Sequence, residues 1–200
     1  ILHAYLPAAN VLGPVAGKIA GVRRVIVSKR GLANYKNLFK LLPRVEPLGN
    51  RLADVVMVNS DAVRRDVERT ERFWKGKIRR IYNGIDTSMP DPAPIHDLFP
   101  DLSGGSIVTY VANLFHYKGH IDLVRAARTV VDAIPGARFL LVGRDAGEMG
   151  RVRSEIGALG LESSVLLAGL RSDAVEIMAA SSLIVHPSHE EGFSNTILEA

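Results

Sequence analysis

Short apolar runs alternate with stretches that carry apolar residues on one helical face, and this alternation limits the fold more than any other feature of the 200-residue chain. The runs fall at 1–3, 25–27, 54–58 and 78–82, then at 107–112, 139–142, 165–168 and 182–186. Between them the helical period of 3.6 returns. A turn at Pro7 leads to an Ala/Gly-rich helix over about 10–20, and a later helical stretch is interrupted by Pro43 and Pro47. Ser60 can cap a helix that turns Val63 and Val67 to one side. Ile121, Val124, Ala127, Val131 and Ile134 form one stripe, and Met149, Val152, Ile156 and Leu159 another. A short helix follows with Val175 and Met178 inward, and Asp173 and Glu176 stand at capping-box spacing at its start. Strands joined through helices predict an α/β chain with parallel sheets and right-handed crossovers.

The alternation stops once. Pro90, Pro92, Pro94 and Pro100, with Gly104 and Gly105, make 86–105 a Pro/Gly-rich linker between a part over 1–85 and a part over 106–200. Charge divides at the same place. Residues 1–90 hold 17 Lys and Arg against 7 Asp and Glu, whereas 91–200 hold 8 against 14. A basic part of this kind suits an anionic membrane surface or a phosphorylated acceptor, and Arg23, Arg24, Lys29, Arg30, Lys36 and Lys40 cluster within it. The chain opens inside one expected strand and stops inside an expected helix, so it reads as an internal piece of a longer protein with both domains incomplete.

The last stretch carries the chemistry. After the run at 182–186, Pro187 and Ser188 end the strand, Gly192 permits a tight turn, and Ser194 or Asn195 can cap a new helix. Free N–H groups and the positive end of a helix make such a turn an anion site. Glu191 and Glu199 flank it; carboxylates repel phosphate, so they are expected to accept hydrogen bonds from neutral hydroxyls beside it. A phosphate with hydroxyls on both sides describes a nucleotide sugar. In a doubly wound sheet of order 3-2-1-4, the strands at 107–112 and 182–186 are neighbours, and ligands bind at their carboxyl ends. Topology therefore predicts that the loop with Asn113, Lys118 and Gly119 comes near the Glu191–Ser194 turn, where Lys118 can neutralise a departing diphosphate.

The segment Pro187-Ser-x-x-Glu191-Gly192-Phe193-Ser194-Asn195-x-x-x-Glu199-Ala200 resembles the Glu-x7-Glu signature of retaining GT-B glycosyltransferases of the family-4 type. Asn59-Ser60, Tyr82-Asn-Gly-Ile-Asp86, Lys118-Gly119 and Leu141-Val-Gly143 are similar to the family as well, so the resemblance covers essentially the whole chain. It implies two Rossmann-like domains, the end of an acceptor domain and most of a donor domain. It also implies that Glu191 contacts hydroxyls of the donor sugar, that Glu199 contacts the ribose, and that the N–H groups over Gly192, Phe193 and Ser194 hold the diphosphate. Where the family has Gly-Arg-Leu, this chain has Ala112-Asn113-Leu114, which puts a neutral amide in place of a guanidinium. On the acceptor side many members place a His near the reacting sugar; here that region reads Ser28-Lys29-Arg30-Gly31, leaving Arg30 as a candidate and His3 as a second. The activity so implied is transfer from a UDP- or GDP-type sugar to a glycan or lipid-linked acceptor, with retention, in cell-surface polysaccharide or glycolipid synthesis. The piece alone is expected to be inactive. A nucleotide-sugar epimerase of the same architecture and a non-catalytic nucleotide-sugar-binding module are the alternatives.

Other chemistries find less support. The chain has no cysteine, which excludes disulfides and thiolate metal sites and suits a reducing cytoplasm. His186-x-x-His189 and His116-x-x-x-His120 sit in loops and lack a helical ligand face, and no Asp-x-Asp occurs, so neither a metal nor another cofactor is expected. There is no P-loop, nucleophile elbow or dinucleotide fingerprint. The basic part lacks a groove-reading motif, so nucleic acid is not an expected partner. The expected location is the cytoplasm, with peripheral contact at the inner face of the membrane.

Overall fold

The computed structural model describes residues 1–32, 42–70, 75–88, 90–102 and 104–200, the side chains of 42–44 and 75 excepted. Lys36 and Lys40 of the expected basic cluster lie outside these residues. Two compact units result: Ile1–Gly84 with Glu191–Ser194, and Ile85–Glu190 with Asn195–Ala200. Each is built on a parallel sheet.

The first unit contains β1 (Leu2–Tyr5), β2 (Val25–Lys29), β3 (Val55–Val58) and β4 (Ile78–Arg80), paired in sequence order. The crossovers carry α1 (Pro7–Ile19), α2 (Leu42–Leu52) and α3 (Asp61–Thr70). Val25, Val27, Val56 and Val58 of the strands are buried with Val63 and Val67 of α3, the face expected for that helix. Ser60 caps α3 as anticipated, its Oγ accepting the N–H of Val63 at 3.0 Å. Three prolines behave otherwise than expected. Pro7 opens α1 rather than making a turn before it, because the first helical N–H groups have no acceptor within the helix and proline lacks only that group. Pro43 and Pro47 lie inside α2 and do not interrupt it. Pro43, as the second helical residue, costs nothing for the same reason. Pro47 forfeits one hydrogen bond, and close packing on α1 holds the helix: a Cβ on Gly49 would stand 2.4 Å from the Asn10 carbonyl oxygen. Lys29 also departs from the surface cluster expected of it. It is buried at the end of β2 and paired at 2.9 Å with the fully buried Glu46 of α2, an arrangement in which neither charge could stand without the other.

In the second unit, β5 (Ile107–Val111), β6 (Arg138–Val142), β7 (Val165–Gly169) and β8 (Leu183–Ile184) take the order β7-β6-β5-β8. The anticipated neighbours β5 and β8 pair in parallel, Val108 beside Leu183 and Thr109 beside Ile184. The sheet is covered on both faces. Phe139 and Leu141 of β6 pack with Tyr110 under α5 (His120–Ala133) and α6 (Met149–Ala158). Leu140 and Val142 point the other way, as the period of two requires, and pack with Ile107 against Ile177 of α7 (Ala174–Ala179). That second face also needs the stretch read as linker. Within it α4 (Ile95–Leu98) and a 3-10 turn (Pro100–Leu102) form, and Ile95, Phe99 and Leu102 are buried in the same cluster. Proline content signalled a break, yet a parallel sheet cannot leave one face wet, and these apolar side chains fill it. The capping box before α7 does not form: Asp173 accepts two hydrogen bonds from the Arg171 guanidinium, at 2.8 and 2.6 Å, and makes no side-chain cap. The last helix is α8 (Asn195–Glu199). Among the described residues no helix is long and apolar enough to cross a membrane.

Candidate functional site

Where the strand order reverses between β5 and β8, two loops of the second unit meet. Gly119 has φ 70, and a Cβ there would lie 2.3 Å from the carbonyl oxygen of Pro187. The N–H of His189 donates to the Tyr117 carbonyl at 2.9 Å. Beneath them the fully buried Tyr110 donates its hydroxyl hydrogen to the Lys118 carbonyl at 2.7 Å and lies 3.2 Å from Ser188 Oγ. The Lys118 loop is thus fastened to residues 187–189, which follow β8.

A cavity of about 350 Å³ opens at the carboxyl ends of these strands. Asn113, Lys118, Gly143, Leu170, Arg171 and Thr196 are among the residues lining it. Sequence reading named the first two for this purpose. It did not single out Leu170, Arg171 or Thr196, although Thr196 sits inside the recognised segment and the loop after β7 must reach the same end of a parallel sheet. Asn113 is held by a bond of its own: its Oδ1 accepts the N–H of Arg144 at 3.2 Å. Lys118 ends a 3-10 turn (His116–Lys118), with its ammonium 5.4 Å from the centre of the Tyr117 ring. Glu199 is exposed at the end of α8, whose Thr196 donates to the Val111 carbonyl at 3.2 Å.

The turn Glu191–Ser194 packs with the first unit. Gly192 has no positive φ; space is what demands glycine there, since a Cβ would stand 2.7 Å from the Arg30 carbonyl oxygen and 2.9 Å from Val63 Cγ2. Phe193 lies with its ring centre 5.6 Å from that of Tyr82. The expected tight turn therefore has a different physical reason from the one the sequence suggested.

At the carboxyl ends of the first unit's strands, a cavity of about 280 Å³ is lined by Ser28, Arg30, Asn59, Tyr82 and Asn83 among others. The Arg30 guanidinium donates to Asn83 Oδ1 at 2.9 Å. His3 does not line this cavity. Its Nε2 is 2.7 Å from Ser28 Oγ, and its Nδ1 is 3.0 Å from the Tyr5 hydroxyl.

The histidines considered as ligands go separate ways. His189 Nε2 pairs with Asp122 at 2.5 Å, His116 lies against Arg151 and Glu148, and His120 is buried. Burial pushes the His120 imidazole down to about 4, with the Lys118 ammonium adding to the effect, so the ring is neutral at ordinary pH.

Comparison with known proteins bears on the family and the fold. A family model described as glycosyl transferases group 1 matches residues 105–200, and one described as Glycosyltransferase Family 4 matches residues 1–89. The UDP-Gal:alpha-D-GlcNAc-diphosphoundecaprenol alpha-1,3-galactosyltransferase of Escherichia coli is 28% identical over 217 residues, covering 100% of this chain and 54% of its own length. The Vi polysaccharide biosynthesis protein VipC/TviE of Salmonella typhi is 26% identical, covering 100% of this chain and 36% of its own. Among solved structures, Anabaena HepE in complex with UDP-glucose has a TM-score of 0.83 at 28% identity, covering 99% of this chain and 56% of that one. The chain spans about half the length of such relatives, or less. With its two parts matched by these models and its two parallel-sheet units sharing the fold of those structures, the chain belongs to the GT-B glycosyltransferases of the family-4 type.

Proposed function

We propose that the protein moves a sugar from a UDP-type nucleotide sugar to a glycan or lipid-linked acceptor, with retention and without a metal, in the building of a cell-surface polysaccharide or glycolipid. The observation that carries this reading is the cavity at the β5–β8 switch point, with Asn113 and Lys118 on its wall and no carboxylate among its lining residues. An anion is welcome there, and strand ends at a switch point are where open α/β sheets bind nucleotides. In this reading the second unit is the donor side and the first the acceptor side. The Lys118 ammonium neutralises the diphosphate as the bond from the anomeric carbon to its oxygen breaks. Glu191 orients the donor sugar, and Glu199 holds the ribose hydroxyls. The acceptor hydroxyl attacks from the face that the diphosphate leaves and passes its proton to the leaving phosphate oxygen, so no protein nucleophile is needed. Arg30 serves the acceptor side from the wall of the first unit's cavity, and His3 serves it through Ser28 of that wall. The UDP-glucose complex of HepE and the lipid-linked acceptor in the name of the Escherichia coli relative support the substrate classes. Contact with the inner face of the membrane would suit such an acceptor.

The test is calorimetric titration of the full-length protein with UDP, GDP and their sugars, followed by product analysis with and without acceptor glycans. UDP is expected to bind, and Glu199→Ala to weaken it by about tenfold, since unpaired ribose hydroxyls cost about 1–3 kcal/mol. Glu191→Ala is expected to leave UDP affinity unchanged and to lower turnover. Binding of no nucleotide would refute the reading, and conversion of the nucleotide sugar without acceptor would replace transfer by isomerisation.

A further inference from the structure

A nucleoside diphosphate brings more than one negative charge, and the cavity of the second unit offers few cations to meet it. Two line the wall, Lys118 and Arg171. Arg171 is committed: Asp173 accepts from its Nε and Nη2, and the guanidinium lies 5.5 Å from the centre of the Phe99 ring. Arg151, nearby on α6, is likewise paired with Glu148 at 2.8 Å. Arg144 differs from both. It is exposed, and its side chain has no partner among the described residues. The adjacent carboxylate, Asp145, is occupied elsewhere, accepting the N–H groups of Gly147, Glu148 and Met149, which hold its carboxyl below the usual range.

The backbone of Arg144 is as fixed as its guanidinium is loose. Its N–H donates to Asn113 Oδ1 at 3.2 Å, its carbonyl accepts the N–H of Leu114 at 3.0 Å, and Leu114 and Asp145 form a bridge. The residue before it, Gly143, lines the cavity and lies so close to β5 that a Cβ would stand 2.0 Å from the Ala112 carbonyl oxygen. The root of the Arg144 side chain is thus held between two lining residues, Gly143 and Asn113, while its planar, permanently charged head is uncommitted. A guanidinium is the side chain best shaped for bidentate binding of phosphate.

We propose that Arg144 supplies the second cation for the diphosphate of the donor, reaching over the cavity from a backbone that the Asn113 side chain holds in place. Asn113 then acts as a positioning residue for Arg144 rather than as a phosphate ligand itself. The inference rests on the nucleotide reading above and adds to it the group that makes the site prefer a diphosphate over a nucleoside.

Calorimetric titration of the full-length protein with UDP and with uridine tests it, using Arg144→Gln, Arg144→Lys and, as a control for loss of one exposed positive charge, Arg153→Gln on α6. Arg144→Gln is expected to weaken UDP on the order of tenfold, as for loss of a charge-assisted hydrogen bond, and to leave uridine within about twofold. Arg144→Lys is expected to fall between wild type and Arg144→Gln, and Arg153→Gln to match wild type for both ligands. Equal UDP affinity in wild type and Arg144→Gln overturns the proposal, and so does an equal loss of UDP and uridine, which reports a disturbed fold. A wild-type protein that binds neither UDP nor GDP instead removes the nucleotide reading, an outcome visible before any variant is made.

Discussion

His120 begins α5 two residues after Lys118, and its ring lies tilted against that of the buried Tyr110, the centres 4.8 Å apart. An imidazole there must shed its proton to stay folded, because burial disfavours the charged form. The direction of the pH dependence follows. With a folded-state value of about 4 below the ordinary 6.5, the proton binds the unfolded chain more tightly. Stability is therefore complete above pH 6.5 and falls as pH drops from 6.5 towards 4, by at most about 1.4 kcal/mol per pH unit. The carboxylates whose values are lowered, among them Asp54, Asp145 and Asp173, lose their contribution only below about pH 3.9, outside this window. Urea unfolding at pH 7.5, 6.5, 5.5 and 4.5 should show the slope in wild type and a flatter one in His120→Leu. Parallel curves would contradict this account. Lys118 and Asn113, which the chain singles out by their chemistry, line the cavity at the β5–β8 ends. Arg171, on the same wall, was not legible, because an arginine in a loop is unremarkable until strand order brings that loop to the cavity.

The elements that place the site are the two loops after β5 and β8, and their joint is narrow. Gly119 carries two demands at once, a φ of 70 and contact with a backbone carbonyl that cannot retreat like a side chain. Gly119→Ala should cost about 1 kcal/mol for the left-handed backbone and about 1–3 kcal/mol for overpacking, and should weaken UDP binding by displacing Lys118. Gly150→Ala, where a Cβ meets nothing within 4 Å and α6 favours alanine, should keep or slightly raise stability and leave binding unchanged. Chemical denaturation of the two variants beside wild type checks the difference. At this scale the sequence was read well where periodicity spoke and poorly where proline did. The stripe over α6 and the cap at Ser60 were visible, whereas Pro7 and Pro43 stand harmlessly in the first turn of their helices and packing on α1 sustains α2 through Pro47.

Over the whole molecule, the basic and acidic parts invite different partners. The first part keeps Arg23, Arg24 and Arg30 exposed, although Lys29 is withdrawn into its pair with Glu46. Each exposed Lys or Arg near an anionic bilayer contributes about 1 kcal/mol, fading within a Debye length. Full-length protein should therefore sediment with anionic vesicles at low salt, less so at high salt, and not with neutral vesicles. Binding indifferent to lipid charge, or none at all, would show these charges to be a solvated face.

What the sequence determined by itself was local and periodic: the strand–helix alternation, the buried faces of α3 and α6, and the signature around Glu191 and Glu199. These depend on residues a few positions apart, whose spacing survives in one dimension. Tertiary structure decided what depends on distant residues meeting. It assigned Ile95, Phe99 and Leu102 to the second face of the second unit's sheet, because a parallel sheet must be covered on both sides. It turned Gly192 from a residue of a tight turn into a point of contact with the Arg30 carbonyl, and it set Asn113 beside the backbone of Arg144. Each of these follows from which strand ends lie together, and no stretch of sequence carries that information on its own.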